Sequence, residues 1–219
     1  MNMMLRRLIK EILFRLPLRH RFFPRYSFNF TPPQLCFLCQ CLEDTRCVDG
    51  AVAEVGCANG STTVFLNRYM DSQRIQKDYY PIDTFSGFVR EDVAYEVANR
   101  GKNKDLFTGF AVNSKRWFDG TMQQNGVSRV ISVQADINAY DLTALGALSF
   151  CLLDVDLYRP MRKGLQELYE VLKPGGIMVV DDCNPSDSRW DGSDQAYKEF
   201  IAQEGLPPQV FHGKLGIVR

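Results

Sequence analysis

Residues 148–182 read "LSFCLLDVDLYRPMRKGLQELYEVLKPGGIMVVDD" and hold two apolar runs on either side of an amphipathic stretch. The runs 148–154 and 176–182 are short and almost wholly apolar, which predicts two buried strands. The stretch 160–172 has helical spacing, begins with a proline in its first turn and is stopped by "KPGG" at 173–176. A strand, a helix and a second strand in this order predict a parallel β–α–β unit.

The same alternation continues through the rest of the chain from residue 51. The C-terminal "PPQVFHGKLGIVR" holds two short runs around His212–Gly213, which predict an antiparallel hairpin at the edge of the sheet. We therefore expect a three-layer, doubly wound α/β fold of the Rossmann-like class, with a mostly parallel seven-stranded sheet. The polar stretch 85–113 is predicted to be an irregular lid over a site. The other predicted strands are 51–56, 79–83 and 129–134, and the other predicted helices are 61–71, 114–125 and 194–204.

Length and composition point to one domain. The chain has 219 residues, of which 45% are hydrophobic and 24% charged, as is usual for a globular protein. A chain of this length fits one large α/β domain better than two small ones, and we place that domain at residues 28–219. The formal net charge is zero, so no overall field favours nucleic acid and no such partner is predicted.

The N-terminal segment 1–27 differs in character from this domain. Residues 1–25 carry seven Lys/Arg against the single acid Glu11, a net charge of +6, so the remainder carries −6. Apolar residues from Leu5 to Leu16 recur at helical spacing with basic residues between them, which predicts a basic amphipathic helix. Two interpretations are open: a peripheral contact with an anionic membrane, or packing on its own domain or on a dimer mate.

Seven cysteines are scattered along the chain, three of them in "PPQLCFLCQCLED" (32–44). A zinc site needs further ligands at a defined distance, and this segment instead resembles a helix with prolines in its first turn and cysteines as small apolar residues. Scattered thiols suit a reducing compartment, so a cytoplasmic location is predicted.

The first strand is followed by the glycine-containing turn "AEVGCANGST" (53–62). Gly56, Ala58 and Gly60 open a helix and let the backbone approach a ligand, although the third glycine of a nicotinamide-dinucleotide fingerprint is missing. Glu54 stands before the turn, where a dinucleotide site has no use for an acid, and it suits a ligand with positive charge.

Acids also follow the next two strands. Asp83 is placed to bind vicinal ribose hydroxyls, because a carboxylate accepts two hydrogen bonds at once, and Asp136 is placed near an adenine amino group. Each acid alone is as well explained as a turn or helix cap. Together they favour a nucleoside ligand without phosphates.

The last two predicted strands each end in a pair of acids, Asp154 with Asp156 and Asp181 with Asp182. The carboxyl ends of parallel strands lie at one edge of a sheet, so these four carboxylates are expected to meet and to raise one another's pKa. Magnesium prefers hard oxygen ligands and would offset this repulsion. The alternative is that the acids cap helices.

The turn "AEVGCANGST", the segments "PIDTFSGF" and "LLDVDLYRPMRKGLQELYEVLKPGGIMVVDDCN" and the C-terminal "AYKEFIAQEG" together resemble class I S-adenosylmethionine-dependent methyltransferases. Within this class they are most similar to the macrocin O-methyltransferase family, over about residues 30–219. Ala58 departs from the pattern, since many methyltransferases have a glycine there.

The resemblance implies transfer of a methyl group from S-adenosylmethionine to a hydroxyl of a small molecule, most simply a sugar or a glycosylated natural product. It further implies a Mg²⁺ ion held by Asp154, Asp181 and Asp182, with Asp156 as the general base and Asp154 helping to align the acceptor. The cofactor would be held by Glu54, Gly56, Ala58, Gly60, Thr62, Asp83 and Asp136.

Tyr158 and the stretch 85–113 are candidates for contacts with the acceptor by position alone. Two other classes compete with this interpretation. One is an NAD(P)-dependent oxidoreductase on a Rossmann fold, which the missing glycine disfavours. The other is a non-catalytic protein that docks on a membrane or partner, which the costly acid cluster disfavours.

Overall fold

A computed structural model describes residues 3–15, 29–108, 110–111 and 113–219. None of the helices in these ranges is both long enough and apolar enough to cross a membrane. Short 3₁₀ helices cover Lys104–Phe107 and Leu142–Leu145. The strands are β1 (Ala51–Val55), β2 (Tyr79–Asp83), β3 (Val133–Gln134), β4 (Leu148–Leu153), β5 (Leu172–Val180), β6 (Val210–Phe211) and β7 (Leu215–Val218). The α-helices are α1 (Met3–Arg15), α2 (Pro32–Asp44), α3 (Ser61–Gln73), α4 (Arg90–Arg100), α5 (Lys115–Gln124), α6 (Tyr158–Val171) and α7 (Asp191–Gln203).

The seven strands form one sheet in the order β3-β2-β1-β4-β5-β7-β6. Strands β1 to β5 are parallel, whereas β7 runs antiparallel to both β5 and β6. This arrangement confirms the predicted α/β class and the C-terminal hairpin, whose short strand β6 lies at the edge. The order reverses direction between β1 and β4, so the carboxyl ends of these strands flank the crevice where such folds bind ligands.

Helices cover both faces of the sheet because the central strands are apolar on both sides. Successive residues of a strand point to opposite faces. Accordingly, Cys151 and Leu153 of β4 pack with α6 and α7, whereas Phe150 and Leu152 pack with α2 and α3. On β1, Glu54 is the polar exception on the face that packs with α3.

Two predicted boundaries differ from the structure. The strand predicted at 129–134 is reduced to β3, and Val130 makes only an isolated bridge to Tyr79. The "KPGG" turn does end α6, but it lies inside β5, which begins at Leu172. Between the pairs Leu148–Leu172 and Phe150–Ile177 the longer strand β5 bulges, and Gly175 takes a φ of 84° that favours glycine.

The prediction that 85–113 is irregular is wrong for its middle part, which forms α4 and a 3₁₀ turn. Only Asp92 and Glu96 of α4 are buried, so the helix has no apolar stripe from which its period could be recognised. Glu96 instead attaches the helix to the domain: its carboxylate accepts from the backbone N–H of Tyr158 at 2.8 Å and pairs with Arg100 at 2.8 Å.

The predicted N-terminal helix is confirmed in part, as α1. The boundary proposed at residue 27 and the residues 16–28 around it lie outside the part of the chain that the structure describes. The cysteine-containing segment forms α2, with prolines at its first two positions, as predicted.

Candidate active site

A cavity of about 470 Å³ opens at the carboxyl ends of β1, β2, β4 and β5. Residues from every strand-end motif of the sequence line it, including the glycine turn after β1 and both acid pairs. The lining includes Glu54, Gly56, Ala58, Thr62, Asp83, Asp136, Asp154, Asp156, Asp181 and Asp182. A site of this kind was expected at this edge of the sheet.

The two glycines of the turn are required for packing inside the protein. A Cβ atom at Gly56 would lie 1.7 Å from the carbonyl oxygen of Asp154, so a larger residue would push β4 away. A Cβ atom at Gly60 would lie 2.5 Å from Met122 and 2.9 Å from Phe118 on α5, and Gly60 does not line the cavity. Both glycines therefore have a packing role. Gly56 also lines the cavity, so its close approach to a ligand stays a prediction.

Glu54 is buried beneath the turn and joins three elements. Its Oε2 accepts hydrogen bonds from the Thr63 hydroxyl of α3 at 2.6 Å and from the Tyr79 hydroxyl of β2 at 2.7 Å. Burial raises its pKa to about 7, although these two hydrogen bonds act to lower it. Glu54 thus has a structural role in addition to its place in the cavity wall.

Asp83 and Asp136 are held by backbone donors, which come from its own turn for Asp136 and from its own turn and the turn after β1 for Asp83. Asp83 accepts from the backbone N–H of Ala58 at 2.8 Å and from that of Phe85 at 2.7 Å. Asp136 accepts from the backbone N–H of Asn138 at 2.9 Å. Each carboxylate keeps further lone pairs and lines the cavity, so it is fixed in position and still able to accept from a ligand.

Carboxylate oxygens of Asp154, Asp156 and Asp182 lie within 4.8 Å of one another. Asp156 and Asp182 have φ values of 61° and 58°, in the left-handed region that aspartate tolerates better than most residues. The chain turns sharply at both positions directly after β4 and β5, and this brings the carboxylates together. The structure therefore groups Asp156 with Asp154 and Asp182.

The fourth acid, Asp181, is predicted as a metal ligand but lies outside this group of three. Its Oδ2 accepts from Lys214 Nζ at 2.6 Å, and the same Nζ lies 3.3 Å from Asp182. Its Oδ1 is buried and has no hydrogen-bond partner. A buried carboxylate oxygen without a donor is costly, so Oδ1 is available to a cation.

Burial and mutual repulsion dominate the electrostatics of the cluster. Burial and then Asp181 raise the pKa of Asp154, while burial and then Asp182 raise that of Asp156. Burial and Asp182 raise the pKa of Asp181 to about 6 despite Lys214. Folding therefore favours protonated carboxyls, and the cluster costs stability as the pH rises. Three converging hard-oxygen donors, an orphan oxygen and uncompensated charge all fit a bound Mg²⁺.

Three aromatic side chains line the cavity that contains the acids and form an aromatic wall. Phe88 lies 5.4 Å from Phe110 and 5.9 Å from Trp190, as measured between ring centroids, and all three rings line the cavity. The wall joins the segment 85–113 to the loop before α7. That segment therefore contributes to the cavity as predicted.

Tyr158 does not line the cavity. Its hydroxyl donates to Glu199 at 2.7 Å and its ring stacks on Tyr95, with centroids 5.8 Å apart. The side chain points back along α6, towards α4 and α7. Leu157 and Pro160 of the same segment line the cavity instead, so the prediction that Tyr158 contacts the acceptor is wrong.

Sequence reasoning missed two features of the site. Lys214 lies in the hairpin after His212–Gly213, far along the chain from Asp181, and no local pattern marks it. The aromatic wall combines residues from two segments that are distant in sequence; the run of phenylalanines between residues 85 and 110 was the signal available for it.

Comparisons with known proteins agree with this architecture. A family described as macrocin-O-methyltransferase (TylF) matches residues 34–212. None of the curated proteins is significantly similar in sequence. Many solved structures share the fold at low identity. The O-methyltransferase NovP is 18% identical, with a TM-score of 0.71 over 85% of this chain and 78% of that chain.

The calicheamicin methyltransferase CalS11 is also 18% identical, with a TM-score of 0.72 over 97% of this chain and 90% of that chain. The apo structure of CalS11, a TDP-rhamnose 3'-O-methyltransferase, is 16% identical, with a TM-score of 0.62 over 97% of this chain and 91% of that chain. At identities this low, the similarity between the structures shows the fold alone. The family match is a match of sequence, and it covers most of the chain.

Proposed function

This chain belongs to the macrocin O-methyltransferase (TylF) family and is an S-adenosylmethionine-dependent O-methyltransferase, and we propose that its reaction depends on a divalent metal ion and that its acceptor is a sugar or a glycosylated natural product. The family match decides against both the oxidoreductase and the non-catalytic alternatives. The acceptor class is supported by CalS11, which acts on TDP-rhamnose in calicheamicin biosynthesis. Seven free cysteines, five of them buried, support a reducing cytoplasm.

The three acids at the carboxyl ends of β1, β2 and β3, which are Glu54, Asp83 and Asp136, are the proposed cofactor contacts. Asp83 and Asp136 are already fixed by backbone donors, so they accept further hydrogen bonds from hydroxyl or amino groups without losing entropy of their own. Ala58 and Thr62 line the same part of the cavity. Glu54 contributes negative charge beneath the turn, which suits a sulfonium ligand.

The aspartate cluster is the proposed catalytic centre. Asp154, Asp182 and the free Oδ1 of Asp181 would hold the ion, while Lys214 keeps Oδ2 of Asp181 in place. A bound dication lowers the pKa of a hydroxyl group beside it, which makes the hydroxyl a better nucleophile. Asp156 would accept the hydroxyl proton, since its carboxylate lies within 4.8 Å of those of Asp154 and Asp182.

One observation carries this proposal: the carboxylates of Asp154, Asp156 and Asp182 converge within 4.8 Å at the edge where the cofactor acids lie. Such a group is strongly unfavourable without a counterion. Lys214 and Arg189 are the basic residues among the described residues that line the cavity, but of these two only Lys214 forms ion pairs with the acid cluster, through Asp181 and Asp182. One lysine compensates a single charge.

The direct test is methyl transfer to a sugar-bearing acceptor in metal-free protein, with and without added Mg²⁺. We expect transfer to require the ion and to stop with chelator. The affinity for S-adenosylmethionine, measured by calorimetry, should change little. Full activity in strong chelator would show that the acids only terminate strands and cap helices.

A matched series of Asp→Asn variants assigns the roles within the cluster. D154N, D181N and D182N should weaken metal binding, so extra Mg²⁺ partly restores their turnover, whereas D156N should keep the metal and not be rescued. If D156N weakens metal binding and D181N does not, Asp156 is the third ligand and Asp181 the proton acceptor, as the grouping of three carboxylates would suggest.

A further inference from the structure

The helix α1 presents an apolar stripe to solvent. Leu5, Leu8, Ile9 and Ile12 are exposed by 48%, 58%, 39% and 55% respectively. They stand at the spacing i, i+3, i+4 and i+7, so they form one continuous face. Four large apolar side chains in register are more than the scattered exposure that is normal for a protein surface.

Basic residues alternate with the apolar stripe in the sequence of α1. Arg6, Arg7 and Lys10 stand between its members, and residues 1–25 carry a net charge of +6. A helix that combines an exposed apolar face with a basic sequence matches the boundary of an anionic lipid layer, where apolar side chains enter the acyl region and cations meet the headgroups.

We propose that α1 docks on the surface of an anionic membrane, lying in its plane. Thirteen residues span about 20 Å, which is too short to cross a bilayer and sufficient to lie along one. The cytoplasmic leaflet carries the negative surface charge that a polybasic segment recognises. Membrane docking would hold the enzyme where amphiphilic acceptors concentrate.

A second copy of the chain is a less suitable occupant of this face. Outside α1, the exposed large apolar side chains of the described residues lie on separate elements, for example Val97 on α4, Trp117 on α5 and Ile131 before β3. Only the neighbours Val210 and Phe211 of the edge strand stand together among them. The domain of a second copy therefore offers no matching stripe, and pairing α1 with the α1 of a second copy would bring together two segments that each carry a net charge of +6.

The proposal is tested by co-sedimentation of the full-length chain with vesicles. We expect binding to phosphatidylcholine vesicles that contain about 30% phosphatidylglycerol, little binding to phosphatidylcholine alone, and loss of binding when salt is raised to about 0.5 M. Leu8→Asp should lower the bound fraction by about tenfold or more. Lys10→Glu should lower it through charge while leaving the apolar face intact.

Ile131→Asp is the matched control, because it makes the same change of residue class and charge at a site 50% exposed on the domain. It should bind vesicles as the unmodified protein does. The proposal is overturned if the unmodified protein binds neither vesicle, or if Ile131→Asp and Leu8→Asp bind equally. It is also overturned if sedimentation equilibrium shows a dimer that Leu8→Asp dissociates while no vesicle is bound; a second copy then covers the stripe.

Discussion

Two groups of acids lie along the same edge of one sheet, and they differ in how many hydrogen-bond donors and cations their carboxylates receive. Asp83 accepts from backbone N–H groups of its own turn and of the turn after β1, Asp136 accepts from its own turn, and Glu54 accepts from two hydroxyls. The four aspartates after β4 and β5 share one lysine, and they include a buried oxygen with no partner. The first group, which consists of Asp83, Asp136 and Glu54, therefore helps to hold together the part of the fold in which it lies.

The second group has the opposite effect on stability. Like charges meet in a cavity that excludes much of the solvent, so each carboxylate makes its neighbours harder to ionise. Burial without compensation of this kind marks a site whose function requires charge. The contrast separates acids that accept hydrogen bonds from turns and hydroxyls from acids whose repulsion the proposed metal ion would offset.

The largest expected effect concerns Asp156. We predict that Asp156→Asn lowers turnover by about 10²–10⁴-fold, because the proton acceptor is lost. The same variant should raise the melting temperature of the metal-free protein, since one of the repelling charges is removed. Kinetics and calorimetry on the same preparation measure both effects.

The control for this variant is Asp105→Asn, at an exposed acid outside the cavity. Neither turnover nor melting temperature should change there. A lower melting temperature in metal-free Asp156→Asn would mean that the cluster stabilises the fold, and the contrast between the two groups of acids would disappear.

The second prediction examines Glu54, which belongs to the hydrogen-bonded group but is fully buried. Its pKa rises from 4.5 in the unfolded chain to about 7 in the folded protein, so the stability it contributes is complete below pH 4.5 and is lost as the pH rises through 7. As the pH is raised from 4.5 to 8, the free energy of unfolding of Glu54→Gln should therefore increase by about 3 kcal/mol relative to that of the unmodified protein.

Urea unfolding at several pH values measures this difference. Glu204→Gln, at the exposed residue that follows α7, should show no such pH dependence. If Glu54→Gln is less stable than the unmodified protein by the same amount at every pH, the pKa of Glu54 does not change on folding, and Glu54 belongs with the acids that help to build the fold.

A smaller effect is expected at Asp83. Asp83→Ala should weaken binding of S-adenosylmethionine by about 1–3 kcal/mol, which is the scale for lost hydrogen bonds to a charged group. Part of this loss comes from the turn, because the N–H groups of Ala58 and Phe85 lose their acceptor. Calorimetry gives the affinity and circular dichroism checks the fold; unchanged affinity would remove Asp83 from the cofactor site.

The smallest effect is expected from deletion of residues 1–25. The truncated protein should bind S-adenosylmethionine with the affinity of the full chain, because no strand-end acid lies in that segment. Calorimetry on both proteins tests this. A folded truncated protein that no longer binds the cofactor would show that the domain begins before residue 28.

The sequence predicted the parts of this molecule that depend on local period and on topology. A strand that ends in acids delivers them to the edge where its parallel neighbours also end, so Asp154 and Asp182 could be placed together without coordinates. The helix α4 was missed because its buried residues are acids, which leave no apolar period to detect.

Contacts between segments that are distant in sequence could not be predicted from local period and topology. The lysine that meets Asp181 lies in a hairpin 33 residues further on, and its direction depends on the antiparallel pairing of β7 with β5. Tyr158 was misplaced for a related reason: its position next to the acids was evident, but the direction of a side chain at the start of a helix depends on what packs against it.

The left-handed backbone at Asp156 and Asp182 also bears on how such enzymes evolve. Only a few residue types, chiefly glycine, asparagine and aspartate, occupy this conformation at low cost. A single mutation from aspartate to asparagine or glycine would keep the backbone geometry and remove a repelling charge. Loss of catalysis would then come with a gain in folding stability. Lineages of this family therefore have an open route to folded descendants that bind the cofactor without transferring its methyl group.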